Sequence, residues 1–241
     1  ERRIIAVIGA EITGVATLQE TLDMEDWATC LASLLQAITD EIHHFGGEVT
    51  RHDTGTFVAL FGASEIHEDD PERAVLAALA MEDAFESRLA RMAQEEPAWR
   101  VGLLDLDLRA AVHTGDVVVS ADDDEQPLAT GAVMGDAMTT AARLVNRVPA
   151  GEIRVTPAAH RSVAPLFEWA STDDREDSIA LYTPLAPRFP ENKGRGLPGM
   201  RSPLVGRDRE LNTLLETVGQ LQSGVGAIVT LVGEAGIGKS R

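Results

Sequence analysis

The chain carries a glycine-rich motif at its C-terminal end, made of residue types that bind phosphates. Gly233 and Gly238 enclose a four-residue loop that continues into Lys239 and Ser240, in the pattern G-x-x-x-x-G-K-S. The motif follows an apolar run at 227–232, and a strand before the loop is the context that it requires. In such a loop the backbone N–H groups surround the phosphates, the lysine reaches the outer phosphates and the serine holds Mg²⁺. We therefore expect ATP binding in a longer protein, with this chain holding only the beginning of its P-loop domain.

Composition excludes several other classes of function. Acidic residues number 39 against 21 basic residues, a net charge of −18, which argues against a nucleic-acid surface in this part of the protein. The single cysteine, Cys30, excludes an internal disulfide framework and fits a reducing, cytoplasmic compartment. No apolar run approaches the length of a membrane span, and the six histidines form no zinc-binding pattern. We expect a globular cytoplasmic protein in which Cys30 is packed rather than nucleophilic.

The first half of the chain predicts a strand, a helix, a hairpin and a second helix. Residues 4–8 form a short apolar strand pattern, and apolar residues recur at helical spacing over 27–42. Residues 48–53 and 57–61 have the composition of two strands joined by a Thr-Gly-Thr turn, which predicts a β-hairpin. An Asp-Pro pair then opens a helix predicted over 70–92, with the aspartate as its N-cap.

The second half predicts another hairpin, from 108–113 and 117–120, and a helix over 135–146. A strand at 153–156 follows and leads directly into a proline-initiated helix, and 178–182 is the last strand pattern before a change in composition. Helices and strands alternate without a strict βα repeat. This order predicts an α+β fold with a mainly antiparallel sheet and helices on one of its faces.

The composition predicts where the domains divide. Residues 184–203 are rich in proline, glycine and basic side chains without periodicity, which is typical of a linker. A helix at 207–222 then leads into the strand of the P-loop motif. We therefore assign 1–183 to a first domain and 204–241 to the start of a P-loop ATPase domain.

Several longer strings occur in a fixed order through the first domain. They are FGGEVTRHDTGTFVALFG at 45–62, HEDDPERA at 67–74, VHTGDVVV at 112–119, GDAMTTAARL at 135–144 and PAGEIRV at 149–155. In this order they resemble the catalytic domain of class III adenylate and guanylate cyclases, over about residues 4–165. The resemblance implies the ferredoxin-like cyclase fold. The segment that begins with PLVGRDREL at 203–211 and ends in the P-loop motif is similar to bacterial AAA-like or STAND-type ATPases, which often follow cyclase domains.

The resemblance also implies a reaction and its metal ions. A cyclase makes the 3′-oxygen of ATP or GTP attack the α-phosphate, assisted by two Mg²⁺ or Mn²⁺ ions. The family holds both ions with two aspartates, and the corresponding positions here carry Glu11 and Gly55. Glutamate is still an oxygen ligand, although one methylene longer, whereas glycine has no carboxylate. Asp53 lies two residues before Gly55 and could substitute for the missing aspartate only if the hairpin shifted.

Four further positions correspond to the family's substrate-binding and catalytic groups. Its base-selecting lysine and aspartate are represented by Arg51 and Ala132. Arg51 keeps the charge with a different shape, and Ala132 cannot hydrogen-bond a purine. The asparagine and arginine of its signature helix correspond to Thr139 and Arg143, which share a helix face because they are four residues apart. Of all these positions Arg143 alone keeps the family's residue.

These replacements lead to three hypotheses. In the first, the domain is a catalytically impaired cyclase homologue that pairs with a second cyclase domain, its own copy or another, or senses a nucleotide for the ATPase behind it. In the second, it is an active adenylate or guanylate cyclase with atypical metal ligands. In the third, the ATPase carries the function and the first domain is a passive spacer.

Overall fold

The computed structural model describes residues 2–119, 133–170, 180–188, 208–221 and 229–230. The chain divides into two compact units, Glu1–Arg188 and Phe189–Arg241. The strands are β1 (Arg2–Thr13), β2 (Glu48–Asp53), β3 (Thr56–Phe61), β4 (Asp107–Val119), β5 (Val133–Met134), β6 (Ile153–Val155), β7 (Phe167–Trp169) and β8 (Pro184–Pro187). The helices are α1 (Val15–Thr21), α2 (Met24–His44), α3 (Asp70–Glu95), α4 (Arg100–Leu103), α5 (Asp136–Val145), α6 (Pro157–Val163) and α7 (Asp208–Leu221).

One six-stranded sheet forms the centre of the first unit. Its order is β2-β3-β1-β4-β5, and β6 is added along β4. The central strand β1 pairs antiparallel with β3 and with β4, and the only parallel pair among the described strands is β4 with β6. The predicted α+β class with a mainly antiparallel sheet is confirmed.

The second predicted hairpin is wrong, because β4 runs straight through its proposed turn. β4 pairs with β1 without interruption, from Val118 opposite Arg2 to Asp107 opposite Thr13. The first hairpin does form, and its turn residue Gly55 has a φ of 82°, which few other residues adopt. Gly115 instead continues the strand. The physical reason is the length of β1: the apolar pattern predicts a strand only over 4–8, whereas β1 spans Arg2–Thr13 and pairs with nearly all of β4.

Helices cover both faces of the sheet, not one face as the element order predicted. Side chains alternate along β1, so its even-numbered and odd-numbered residues point to opposite faces. Ile8 and Ile12 belong to the large core that includes Leu34 of α2 and Met81 of α3. The odd-numbered face packs against α5, through residues that include Ile5, Val7, Ala137 and Ala141.

The two long helices match their predictions closely. α2 begins after Asp23, whose Oδ1 accepts hydrogen bonds from the N–H groups of Glu25 and Asp26 at 3.1 and 2.9 Å. This is the standard N-cap arrangement. α3 contains the predicted Asp-Pro pair in its first turn, but the N-cap position is Asp69 and not Asp70. Asp70 is buried and accepts the backbone N–H of His67 at 2.8 Å instead.

The end of the first unit corrects part of the predicted linker. Residues 184–187 form β8, which pairs antiparallel with β7. The strand pattern at 178–182 lies partly outside the described residues, and Tyr182 forms an isolated bridge with Val155. The ring of Tyr182 also stacks on His160, with centroids 3.7 Å apart. Strand pairing therefore joins residues 184–187 to the first unit, although this segment lacks hydrophobic periodicity.

In the second unit the predicted helix at 207–222 is confirmed as α7. Leu211, Leu215 and Val218 on this helix are exposed. The P-loop residues Gly233, Gly238, Lys239 and Ser240 lie outside the described residues, so that motif remains a prediction.

Candidate active site

Glu11 lies on β1, on the face of the sheet that packs against α5. It is paired with Thr56 of β3 on one side and with Arg109 of β4 on the other. Residues that pair directly in antiparallel strands share a face, so Glu11 and Arg109 project side by side. Their side chains are 27% and 19% exposed, so the pair is neither fully solvated nor fully buried.

Arg109 engages the carboxylate of Glu11 with two N–H groups. Its Nε and Nη2 lie 3.0 and 2.5 Å from Oε2 of Glu11. The same guanidinium donates from Nη1 to the carbonyl oxygen of Val148 at 3.2 Å and from Nη2 to Oδ1 of Asn146 at 3.3 Å. Because Asn146 and Val148 follow α5 directly, Arg109 connects Glu11 on β1 to the C-terminal end of this helix.

Gly55 lies at the turn between β2 and β3. Its carbonyl oxygen accepts the N–H of Ile12 at 2.7 Å, so the turn lies against the end of β1, next to Glu11. A Cβ atom at position 55 would lie 3.1 Å from the carbonyl oxygen of Ile12 and 3.1 Å from Cγ2 of Val15. The glycine therefore packs closely and contributes no ligand atom from a side chain.

The backbone register places Asp53 near this row. Asp53 pairs with Thr56, which pairs in turn with Glu11. The two backbones are thus roughly 10 Å apart, or twice the spacing between strands. Arg51 pairs with Val58 on the same hairpin. Ala132 lies outside the described residues, so the proposed base-selecting pair remains a prediction.

Thr139 and Arg143 are both exposed on α5. Within the described part of the chain, neither side chain has a hydrogen-bonding or ion-pair partner. α5 lies directly on β1 because Gly9 has no side chain there; a Cβ atom at position 9 would lie 2.7 Å from the carbonyl oxygen of Ala141. The structure thus keeps Thr139 and Arg143 four residues apart on α5, with both side chains exposed.

The side chains that the structure describes at this site do not by themselves fit a pair of divalent ions. Within the described part of the chain, no three His, Cys, Asp or Glu side chains lie close enough together to hold a metal ion. The guanidinium of Arg109 already binds Glu11, and Gly55 has no side chain that could act as a ligand. Mg²⁺ requires near-octahedral oxygen coordination, usually with more than one carboxylate or with phosphates.

His113 lies on the face of β4 that also carries Arg109, two residues after Ala111. Its Nδ1 is 3.0 Å from Oγ1 of Thr156, the N-cap residue of α6. Burial lowers the pKa of His113, which favours the neutral ring. The prediction that His113 is a strand residue is confirmed.

Arg109 is the residue that sequence reasoning missed. The sequence pattern predicts it only as part of a strand in the second hairpin. The signal that identifies it is the pairing register, because a continuous β4 brings residue 109 opposite residue 11. The local sequence pattern predicts a turn at 114–116, and a strand divided there does not show that register.

Cys30 behaves as the sequence indicated. It is fully buried in the main core, and burial raises the pKa of its thiol to about 11. A protonated thiol without access to solvent is a poor nucleophile.

Comparisons with known proteins identify the fold. No family model matches the sequence. An uncharacterized protein of Rhizobium meliloti (strain 1021) is 26% identical over 249 residues, and the match covers 100% of this chain but 23% of the length of that protein. The chain therefore spans about a quarter of the curated relative that it matches.

Three solved structures resemble the chain over most of their length. The guanylyl cyclase Cya2 has a TM-score of 0.63 and 22% identity, covering 80% of this chain and 96% of its own. The adenylyl cyclase CyaB from P. aeruginosa has a TM-score of 0.63 and 18% identity, and the match covers 78% of this chain and 97% of that one. The guanylate cyclase domain of RhGC from Catenaria anguillulae was solved in complex with GTP. It has a TM-score of 0.62 and 18% identity, and the match covers 78% of this chain and 100% of that one. The chain has the nucleotide cyclase fold.

None of the described helices is both long and apolar enough to span a bilayer.

Proposed function

We propose that this chain is a nucleotide cyclase-like domain that does not form cyclic nucleotides and instead regulates a larger protein. The observation that carries the proposal is the ion pair at the first metal-ligand position, where Arg109 binds Glu11. A fixed cation beside the carboxylate and a glycine at the second ligand position leave little for a metal ion to bind. Without metal ions the attacking oxygen is not activated and the charge of the phosphates is not neutralised.

The groups that could still act are those on the exposed face of α5. Thr139 and Arg143 are free to meet a second cyclase domain or the phosphates of a nucleotide. The proposed module therefore pairs subunits or senses a nucleoside triphosphate. GTP is bound in one protein of this fold, which supports a nucleotide as the ligand.

The protein that this domain regulates is proposed from the sequence of the second unit. The motif at Gly233–Ser240 would bind ATP in a P-loop ATPase domain, with Lys239 on the outer phosphates and Ser240 on Mg²⁺. A curated relative that is more than four times as long as the matched region supports a multidomain protein.

The test is an assay of the chain with ATP or GTP in the presence of Mn²⁺. We expect no cyclic nucleotide above the level of the Glu11→Ala variant, with an active cyclase domain as the positive control. Removing one preorganised charge-stabilising group costs about a hundredfold or more in rate, so the loss of metal ligands should make turnover undetectable. Clear production of cyclic AMP or cyclic GMP by the wild-type chain would contradict the proposal.

An active cyclase with atypical ligands is the second candidate. It is favoured by one observation, the carboxylate of Glu11 at the end of the central strand, where Asp53 of the hairpin lies in the same backbone row. In that case Mn²⁺-dependent turnover would be present in the wild type and abolished by Glu11→Ala. The same assay therefore separates the two candidates.

A further inference from the structure

We propose that Arg109 is the resident cation of the Glu11 site and takes the place of a divalent ion there. The inference deepens the proposed function, because it names what holds the site in a metal-free state. It concerns the occupant of the site and makes no assumption about turnover.

The geometry shows that Arg109 is held in place from two sides. Two of its N–H groups converge on one oxygen of Glu11. Its Nη1 also donates to the carbonyl oxygen of Val148, and its Nη2, which contacts Glu11, donates to Asn146 as well. Arginine is suited to such a position because its planar group is always charged and presents several donors in fixed directions.

A divalent ion would have to displace this guanidinium or bind Glu11 beside its positive charge. Charge-assisted hydrogen bonds between arginine and a carboxylate are among the stronger ones in proteins, and a partly buried pair is screened less by solvent than an exposed one. In exchange, a lone glutamate offers the ion at most two of about six oxygens. We therefore expect the pairing of Glu11 with Arg109 to be more favourable than the binding of a divalent ion.

The position of Gly55 allows this idea to be tested by restoring the missing ligand. Aspartate is one of the few residues that adopt a positive φ with some frequency, so Gly55→Asp should strain the φ of 82° less than most other substitutions would. The close contacts of a Cβ atom there, 3.1 Å to Ile12 and to Val15, would require small shifts of those neighbours. Arg109→Gln removes the positive charge while keeping a side chain that can hydrogen-bond Glu11.

The experiment is an Mn²⁺ titration of the whole chain without nucleotide, followed by paramagnetic broadening of the backbone amides at 9–13. The proteins are the wild type, Gly55→Asp, Arg109→Gln, and the double variant Gly55→Asp with Arg109→Gln. Because the chain carries a net charge of −18, Mn²⁺ will also gather at acidic surfaces. Glu11→Gln in each background therefore supplies the blank.

The proposal requires that the charge of Arg109 excludes the ion. We expect no Glu11-dependent broadening in the wild type. The double variant should bind Mn²⁺ at least about tenfold more tightly than Gly55→Asp alone, which is the weight of a charge-assisted hydrogen bond. Gly55→Asn with Arg109→Gln, which has the same backbone demand but no second carboxylate, should lose most of this gain.

Three results would overturn the proposal. They are Glu11-dependent Mn²⁺ binding in the wild type, equal affinity in Gly55→Asp with and without Arg109, and absence of binding in a folded double variant. If circular dichroism shows that the double variant does not fold, Arg109→Gln alone is compared with the wild type, and failure to gain Glu11-dependent broadening counts against the proposal. Cyclase activity of the wild type would contradict the proposed function. The metal titrations test the role of Arg109 independently of that activity.

Discussion

At the scale of single residues, the neighbour of a group decides what chemistry the group can do. Glu11 has the oxygen atoms of a metal ligand, yet Arg109 already satisfies its charge. Thr139 and Arg143 are set on one exposed helix face, yet within the described part of the chain nothing is bound to them. The residue types alone would not distinguish a ligand from a partner in an ion pair.

A prediction at this scale concerns His113. Burial lowers its pKa, so the folded state binds a proton less readily than the unfolded state. Its contribution to stability is therefore complete above the unfolded pKa of about 6.5 and is lost as the pH falls below that value. In urea unfolding between pH 7.5 and pH 5, the free energy of unfolding should fall less steeply for His113→Gln than for the wild type.

The matched control for that measurement is His43→Gln, which replaces an exposed histidine at the end of α2. A change of slope that is confined to His113→Gln would identify the buried ring as its source. Part of the slope should survive in His113→Gln, because desolvation also lowers the pKa of His160. Identical slopes for His113→Gln and the wild type would show that the buried ring has no influence on acid stability.

At the scale of elements, the site depends on how close α5 lies to β1. Gly9 allows the contact because the helix backbone occupies the space of its missing side chain. The ion pair of Arg109 then links the strand to the end of the same helix through Val148 and Asn146. A hydrogen-bonded anchor and a backbone contact together set where Thr139 and Arg143 stand.

Gly9→Ala should therefore separate the helix from the strand. The added Cβ would lie 2.7 Å from the carbonyl oxygen of Ala141, so α5 must shift or the strand must bend. Overpacking of this kind costs about 1–3 kcal/mol. We expect that loss in urea unfolding, together with faster amide exchange over 136–145.

Ile4→Val is the comparison for this change, because it alters an exposed side chain on the same strand. Its free energy of unfolding should stay within about 0.5 kcal/mol of the wild type. A Gly9→Ala protein as stable as the Ile4→Val protein would mean that α5 is not held at the observed distance.

At the scale of the whole molecule, the first unit closes with β8 and Arg188. Pro184 of β8 is buried, and the N–H of Arg188 donates to the carbonyl oxygen of Leu166 at 2.7 Å. The composition of the sequence predicts that this domain ends at residue 183. The difference matters for any truncated form, because the last strand would be cut away.

We expect a chain of residues 1–188 to be more stable than one of residues 1–183. The shorter form loses the pairing of β8 with β7 and the burial of Pro184. Loss of such contacts typically costs about 1–3 kcal/mol. Urea unfolding of the two truncated chains measures the difference, and equal midpoints with equal slopes would argue against a structural role for β8.

Much of this fold could be predicted from the sequence, because the signals are local. The hydrophobic spacing identified α2, α3 and α5, and the Thr-Gly-Thr turn identified the hairpin of β2 and β3. The long ordered strings also indicated the cyclase fold that the solved structures share. Local pattern and backbone preference were sufficient for these features, since each depends on residues close together in the chain.

Only the tertiary structure decided the features that depend on distant pairing. The full length of β1 turned a predicted hairpin into the continuous strand β4. That register placed Arg109 beside Glu11, although the two residues are 98 positions apart in the chain. A charge meets its partner through the register of a whole sheet, and no short stretch of sequence contains that information.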